Sequence, residues 1–319
     1  MFYFLFLFLI IITIFLYQLI SESLTEQGIS VLILALAKLE VCWQKDLTED
    51  MKNVLRRAIT RQSFLSEHAL SSLLYGLGKL GRQWNDLHPH VKSSLKEAIV
   101  VCHISEKCTP LGVVNSLYGL ALMNAEWSSL SSSVRMALID EITIVLPSMT
   151  DNQLTTILWS VSKLSVAWKD LPDKTQSAIL MQAYRKLVNM NSHHIGSLIY
   201  SMGKLGITKN ALPSYMQESI VNSLLRIGIQ TDAEMAMSSS THFHSSDNSM
   251  HPNAHTQHDL SLNEKLSQDL SMALMGLSRM GFSWNQLPNK TISKFKDLLS
   301  KLIEEMNHKQ LSTTIFSLG

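Results

Sequence analysis

A run of apolar residues, one large side chain, two small residues and a lysine recurs along this chain. It reads ALSSLLYGLGKLG at 69–81, QLTTILWSVSKLS at 153–165, and returns in SLIYSMGKLG at 197–206. No other feature constrains the fold as much, because one such unit cannot bury its apolar face alone and must stack on its neighbours. A connector residue follows each copy: Trp43, Trp84, Trp127 and Trp168, then Lys209 in the same slot, then Trp284. The steps are 41, 43, 41, 41 and 75 residues. The long step marks an insertion over 230–265, rich in Ser, His and Asn, whose composition predicts a disordered loop.

Each unit reads as two helices. Helix A carries the quoted pattern and a GxxWxxL connector follows it. Helix B begins at or near Pro89, Pro172, Pro213 and Pro288, since proline is tolerated at a first helical position whose N–H has no partner. Thr150, Ser192 and Asn307 are the expected N-caps of three A helices. No stretch alternates with period two over a useful length, so no sheet is expected. The fold class is therefore all-α: an α-solenoid of stacked two-helix repeats of about 41 residues. Repeats 1–5 occupy 23–229, and repeat 6 with a truncated repeat 7 occupies 266–319. A repeat that stops in mid-helix at Gly319 suggests a fragment or an early end.

With helix A numbered from Ala69 as column one, columns two, five, six, nine and twelve are apolar: Leu70, Leu73, Leu74, Leu77 and Leu80 in one copy. At 100° per residue they form one core-facing stripe between about 20° and 140°. Column seven is large (Leu34, Tyr75, Tyr118, Trp159, Tyr200, Met275, Phe316), and columns eight and ten are small. Glycine inside a helix costs roughly 1 kcal/mol against alanine, so a close approach by the next repeat's helix A is expected there, with column seven lying over it.

Columns one, four, eight and eleven fall on a second stripe, between about 280° and 360°. Column eleven is basic in five units, Lys38, Lys79, Lys163, Lys204 and Arg279, with Leu122 the exception. One cation per stacked unit draws a line that a single-stranded RNA backbone could follow. Ser72, Asn115, Gln153, Thr156, His194 and Ser197, from columns one and four, would then face bases. A second explanation needs no ligand: a cation in the last turn of a helix favours the macrodipole and the free carbonyls by ~0.3–1 kcal/mol. The connector tryptophans read as core that closes the end of each unit.

The segments QLTTILWSVSKLS, ALSSLLYGLGKLG and DLSMALMGLSRMG resemble the leucine-rich helical repeats of organellar RNA-binding proteins. These are the octotricopeptide repeats, and the related repeats that precede RAP domains in apicomplexan and FAST-kinase-like proteins. The likeness covers about 28–229 and 266–319. It implies a solenoid that binds single-stranded RNA in the mitochondrion, or alternatively the plastid, and acts in RNA processing, mRNA stability or translation beside other organellar RNA-processing proteins. Two departures stand out. No segment of the 319 residues resembles a RAP domain, and no transit peptide is recognisable.

Composition narrows the alternatives. Lys plus Arg (27) nearly cancels Asp plus Glu (26), so any anion-binding surface must be local rather than a general basic coat. Three cysteines, Cys42, Cys102 and Cys108, give no disulfide framework and suit a reducing compartment. The first twenty residues carry no charge. The segment 1–22 is thus an anchor, a signal, or translated noncoding sequence, and a membrane partner is expected only in the first case. No phosphate loop, dinucleotide fingerprint or nucleophile elbow is present, so neither an enzyme nor a cofactor is expected. His242, His244, His251, His255 and His258 of the insert, and Cys102 with Cys108, lack metal-site spacing, so no metal is expected. The rival functional class is a protein-interaction scaffold whose groove takes a helix or an extended peptide.

Overall fold

Six of the A helices start at a Thr, Ser or Asn whose side chain accepts the backbone N–H three residues on. Thr25 takes Gly28, Ser66 takes Ala69, Thr109 takes Gly112, Thr150 takes Gln153, Asn191 takes His194 and Asn307 takes Gln310. Column one is thus the third helical residue. At Gln153 and Gln310 the side-chain oxygen also accepts the N–H of the capping residue, closing a capping box. The fifth cap is Asn191, not the expected Ser192, which sits one position inside and is buried; an Asn carboxamide reaches the N–H of His194 from the preceding position. Pro89 opens its helix as expected, while Pro172 and Pro288 stand one residue earlier, as caps whose carbonyls accept from Gln176 and Ile292.

The computed structural model describes residues 24–62, 64–105, 108–241 and 262–318. The apolar segment 1–22, and positions 242–261 of the expected loop with its histidines, lie outside the described residues. The helices are α1 (Glu26–Lys38), α2 (Glu49–Thr60), α3 (Glu67–Lys79), α4 (Pro89–Ser105), α5 (Pro110–Leu122), α6 (Ser132–Val145), α7 (Asp151–Lys163), α8 (Asp173–Leu187), α9 (Ser192–Lys204), α10 (Ser214–Thr241), α11 (Leu262–Arg279), α12 (Asn289–Leu302) and α13 (His308–Leu318). Odd numbers are A helices and even numbers are B helices. Among the described residues there is no strand. Nor is any described helix long and apolar enough to cross a membrane. Helix α10 runs through 230–241, which the composition had assigned to the loop; its Ala, Glu and Met are good helix formers that prolong helix B.

Two compact units divide the chain. The first is 1–148 with 163–165, and the second is 149–162 with 166–319. Within each, helices stack in sequence order, the arrangement of an all-α solenoid. In the first unit α1 lies on α3 and α3 on α5, while α2 lies on α4 and α4 on α6. In the second, α9 lies on α11 and α11 on α13, while α8 lies on α10 and α10 on α12. The stripe of columns two, five, six, nine and twelve forms the core as expected: Leu70, Leu73, Leu74, Leu77 and Leu80, and likewise Leu154, Ile157, Leu158, Val161 and Leu164, are all buried. Each such side chain contributes roughly 1.5–3 kcal/mol by leaving water.

The small columns are sites of backbone contact. A Cβ on Gly119 (column eight) would sink into the Leu74 carbonyl of the preceding helix A, and one on Gly276 into that of Ile199. A Cβ on Gly78 (column ten) would lie 2.8 Å from the Gly119 oxygen of the following helix A, and one on Gly203 2.5 Å from that of Gly276. Column eight therefore faces backwards and column ten forwards. Because α9 and α11 meet as α3 and α5 do, the inserted residues interrupt the chain but not that stack.

The six A helices from α1 to α11 end in the same way. The residue after the C-cap has positive φ in all six: Glu40 (58°), Gly81 (75°), Asn124 (50°), Ser165 (63°), Gly206 (84°) and Gly281 (81°). The next N–H returns to the third-last helical carbonyl, as from Arg82 to Leu77 (3.1 Å) and from Phe282 to Leu277 (3.0 Å), closing a Schellman motif. Two residues later the connector N–H reaches the C-cap carbonyl of the following helix A. Trp43 donates to Leu80 (3.2 Å), Trp84 to Met123 (2.8 Å) and, with Leu164 counted in the first unit, Trp127 to Leu164 (3.1 Å). In the second unit Trp168 donates to Leu205 (2.8 Å) and Lys209 to Met280 (2.7 Å). The indoles of Trp43, Trp84 and Trp168 are buried as expected, while those of Trp127 and Trp284 are half-buried.

Helix propensity alone makes Gly119→Ala stabilising by about 1 kcal/mol. The carbonyl of Leu74 occupies that space, so the substitution is expected to lower stability instead, by ~1–3 kcal/mol, the usual cost of overfilling a tight site. Gly28→Ala, whose Cβ would meet only the Leu24 side-chain tip at 3.2 Å and Thr25 Oγ1 at 3.4 Å, serves as the control and should be neutral or stabilising. Chemical denaturation of both variants checks the pair, and a Gly119→Ala protein as stable as the parent would refute the contact.

Candidate nucleic-acid interface

The apolar arc of helix A centres near 80°, so its solvent face centres near 260°, where columns zero, four, seven and eleven fall. Column zero is exposed in every repeat: Gln27, His68, Leu111, Asn152, His193, Gln268 and Lys309. Column seven is half-exposed at Leu34, Tyr75, Tyr118, Trp159, Tyr200 and Met275, and Phe316 is open. The expected stripe of columns one, four, eight and eleven is therefore shifted. Columns one and eight turn onto the preceding helix A, and columns zero and seven take their place outside. The signal was present in the sequence: the midpoint of the apolar arc, rather than its edge, locates the opposite face.

All five column-eleven cations lie on this open face. Lys38, Lys79, Lys163 and Arg279 are exposed and Lys204 is half-exposed. Among the described residues no carboxylate forms an ion pair with Lys38, Lys79, Lys163 or Arg279. The capping explanation is weakened by the backbone itself. The Schellman turns and the preceding connector N–H supply partners for Leu77, Gly78 and Leu80 at the end of α3, and for the matching carbonyls of α9 and α11, so backbone groups do most of the capping there.

The columns of rings and cations run side by side. In the first unit Lys79 Nζ stands 5.8 Å from the Tyr75 centroid, and Tyr75 stacks on Tyr118 of the next helix A at 6.0 Å and 27°. In the second, the Arg279 guanidinium lies 5.4 Å from the ring of Tyr200 on the preceding helix A. Trp159 and Lys163 are one turn apart on α7, as are Tyr200 and Lys204 on α9.

The base-facing candidates divide. Asn115, Thr156 and Ser197, in column four, are half-exposed on the open face. Ser72, in the same column, is only 8% exposed. Gln153 is half-buried with its amide oxygen held 2.9 Å from Thr150 N, and so belongs to the cap. His194 is half-buried in column one, where burial and the neighbouring His193 push its pKa down.

Two further clusters lie off the stripe or at its edge. Cys102 and Cys108 form no disulfide, and their sulfurs lie 3.8 Å apart, the former buried. Hydrogen bonding to Cys102 and burial push the Cys108 thiol up. Among the described residues no group of three or more His, Cys, Asp or Glu is placed to hold a metal. At the start of α9, His193 Nδ1 sits 2.9 Å from the buried Asp269 Oδ1 on α11.

No protein-family model matches this chain, and no curated protein matches it.

The Asp269 hydrogen bond and its negative charge hold the His193 pKa above the ordinary histidine value, against the effect of burial; His194 and Asp151 are the other titratable neighbours. A group with a raised folded pKa stabilises fully below its unfolded value of about 6.5 and loses that contribution as pH rises through the folded value. His193→Gln should therefore cost more stability at about pH 5.5 than at about pH 8.5. Denaturation midpoints of parent and variant at both pH values measure this, and equal losses would disprove the linkage.

Proposed function

We propose that the protein is an RNA-binding helical-repeat protein whose A helices, within each unit, present an open face to single-stranded RNA. The observation that carries this reading is the pairing of an unburied ring and a cation on that face: Tyr75 with Lys79, Trp159 with Lys163, Tyr200 with Lys204, and Arg279 over Tyr200. Rings offer every base a stacking surface and cations track phosphates, the two ingredients of single-strand recognition. Near-neutral net charge is compatible with this, because a strand needs only local cations, and five A helices each carry one on the open side. The role in organellar RNA processing, stability or translation, in the mitochondrion before the plastid, is supported by the likeness of the repeats to those of organellar RNA-binding proteins.

A protein-interaction scaffold is the second reading. It is favoured by exposed apolar side chains at the B helices of the second unit, Met181, Tyr184, Val188 and Tyr215.

Salt dependence separates the two. With four or five phosphates neutralised, log affinity against log salt should fall with a slope of about −2.8 to −3.5, at ~0.7 per contact. The triple variant Lys79→Glu, Lys163→Glu and Lys204→Glu leaves two cations of the column and should bind more weakly, with a slope of about −1.4. A variant whose slope and affinity match the parent's would remove the ladder and leave the scaffold reading.

A further inference from the structure

The ends of α1 and α3, in the first unit, enclose a cavity of about 400 Å³ lined by Ala37, Lys38, Glu40, Val41, Tyr75 and Lys79. Two successive column-eleven cations thus share one recess. Tyr75 belongs to its wall; its ring stacks on Tyr118 of the next repeat at 6.0 Å and carries the Lys79 ammonium 5.8 Å from its centroid. Glu40 is the acidic member. With φ of 58° it occupies the left-handed position that Gly81, Gly206 and Gly281 fill in three repeats and Asn124 and Ser165 in two. A glutamate there is strained where glycine is not. Glu40 is exposed and shares the lining of this cavity with the two lysines.

We propose that this cavity holds one guanosine nucleotide of a bound RNA strand. The phosphate lies between Lys38 and Lys79, the base stacks on Tyr75, and the Glu40 carboxylate accepts from the base edge. The inference rests on the RNA-binding reading above and narrows it to a base. An ionised carboxylate offers two acceptors and no donor. Guanine alone presents two adjacent N–H donors on its Watson–Crick edge. Uracil presents two carbonyl oxygens flanking a single N–H, so the carboxylate repels it. The lysines supply what any phosphodiester would use, while Glu40 supplies the choice.

The test uses the full chain and a labelled short oligouridylate, with and without one guanosine, read by fluorescence anisotropy at fixed salt. One guanosine should tighten binding about tenfold, on the order of a single bidentate base contact. Glu40→Gln should abolish that gain while binding plain oligouridylate no more weakly than the parent. Glu40→Gly should abolish it too, while raising the melting temperature by relieving the left-handed strain, so that a folding defect cannot mimic the result. A guanosine gain that is absent, or that survives both substitutions, overturns the subsite but leaves the RNA-binding reading intact. Failure to bind any oligonucleotide overturns both. Free guanosine monophosphate that competes mole for mole with the oligonucleotide also overturns it, because the cavity would then serve a mononucleotide rather than a strand.

Discussion

The N–H of Trp84 donates to the C-cap carbonyl of Met123, and the same bond recurs from Trp43 to Leu80, from Trp168 to Leu205 and from Lys209 to Met280. It fixes where one helix A ends relative to the connector before it. Glycines in columns eight and ten then allow neighbouring A helices to touch through their backbones. A slide of one helical turn, about 5.4 Å, would break the bond and drive side chains into carbonyl groups. Register is thus set twice, once by a hydrogen bond and once by sterics. The alignment of rings with rings and cations with cations follows from that register within each unit.

Neutral composition and a charged face are compatible for a local reason. The Schellman turns and connector N–H groups satisfy most of the last carbonyls of helix A through the backbone, so Lys38, Lys79 and Lys163 stand in the last turn without a carboxylate ion pair among the described residues. Acidic residues are used elsewhere. Glu26 Oε2 accepts the N–H of Ser66, and Glu67 Oε1 accepts from Thr109, so each caps the helix A of the next repeat. Asp151 pairs with Lys186 and Asp269 with His193. Glu26, Glu67 and Asp151 open their A helices and the cations close them, which separates the two signs along the helix.

The helices, their order and their core could be read from the sequence because the apolar period repeats in nearly every unit, and copying averages out noise. The inserted stretch was also legible from the 75-residue step, although its edge was not: Ala, Glu and Met in 230–241 extend helix B. The open face was misjudged by one column. The stripe was drawn from the edge of the apolar arc rather than opposite its midpoint, so columns one and eight, which turn onto the preceding helix, were counted as accessible. Gln153 was misread for another reason: its side chain folds back to close a cap. Tyr75 and Tyr200 were assigned to interhelical filling, and their rings do touch neighbours while keeping part of their surface open.

The contact of α9 with α11 across the inserted residues has an architectural consequence. Within each unit the junctions are completed by adjacent repeats, so the link from a helix B to the next helix A need supply only its N-cap and the buried residue before it, such as Leu65 with Ser66 and Met190 with Asn191. Such links are the places where this architecture absorbs new sequence, a tail, a localisation signal or an entire guest module, without retuning its stacked walls. The stretch between Thr241 and Leu262 is one instance of that growth, and each of the other short links offers the same opening.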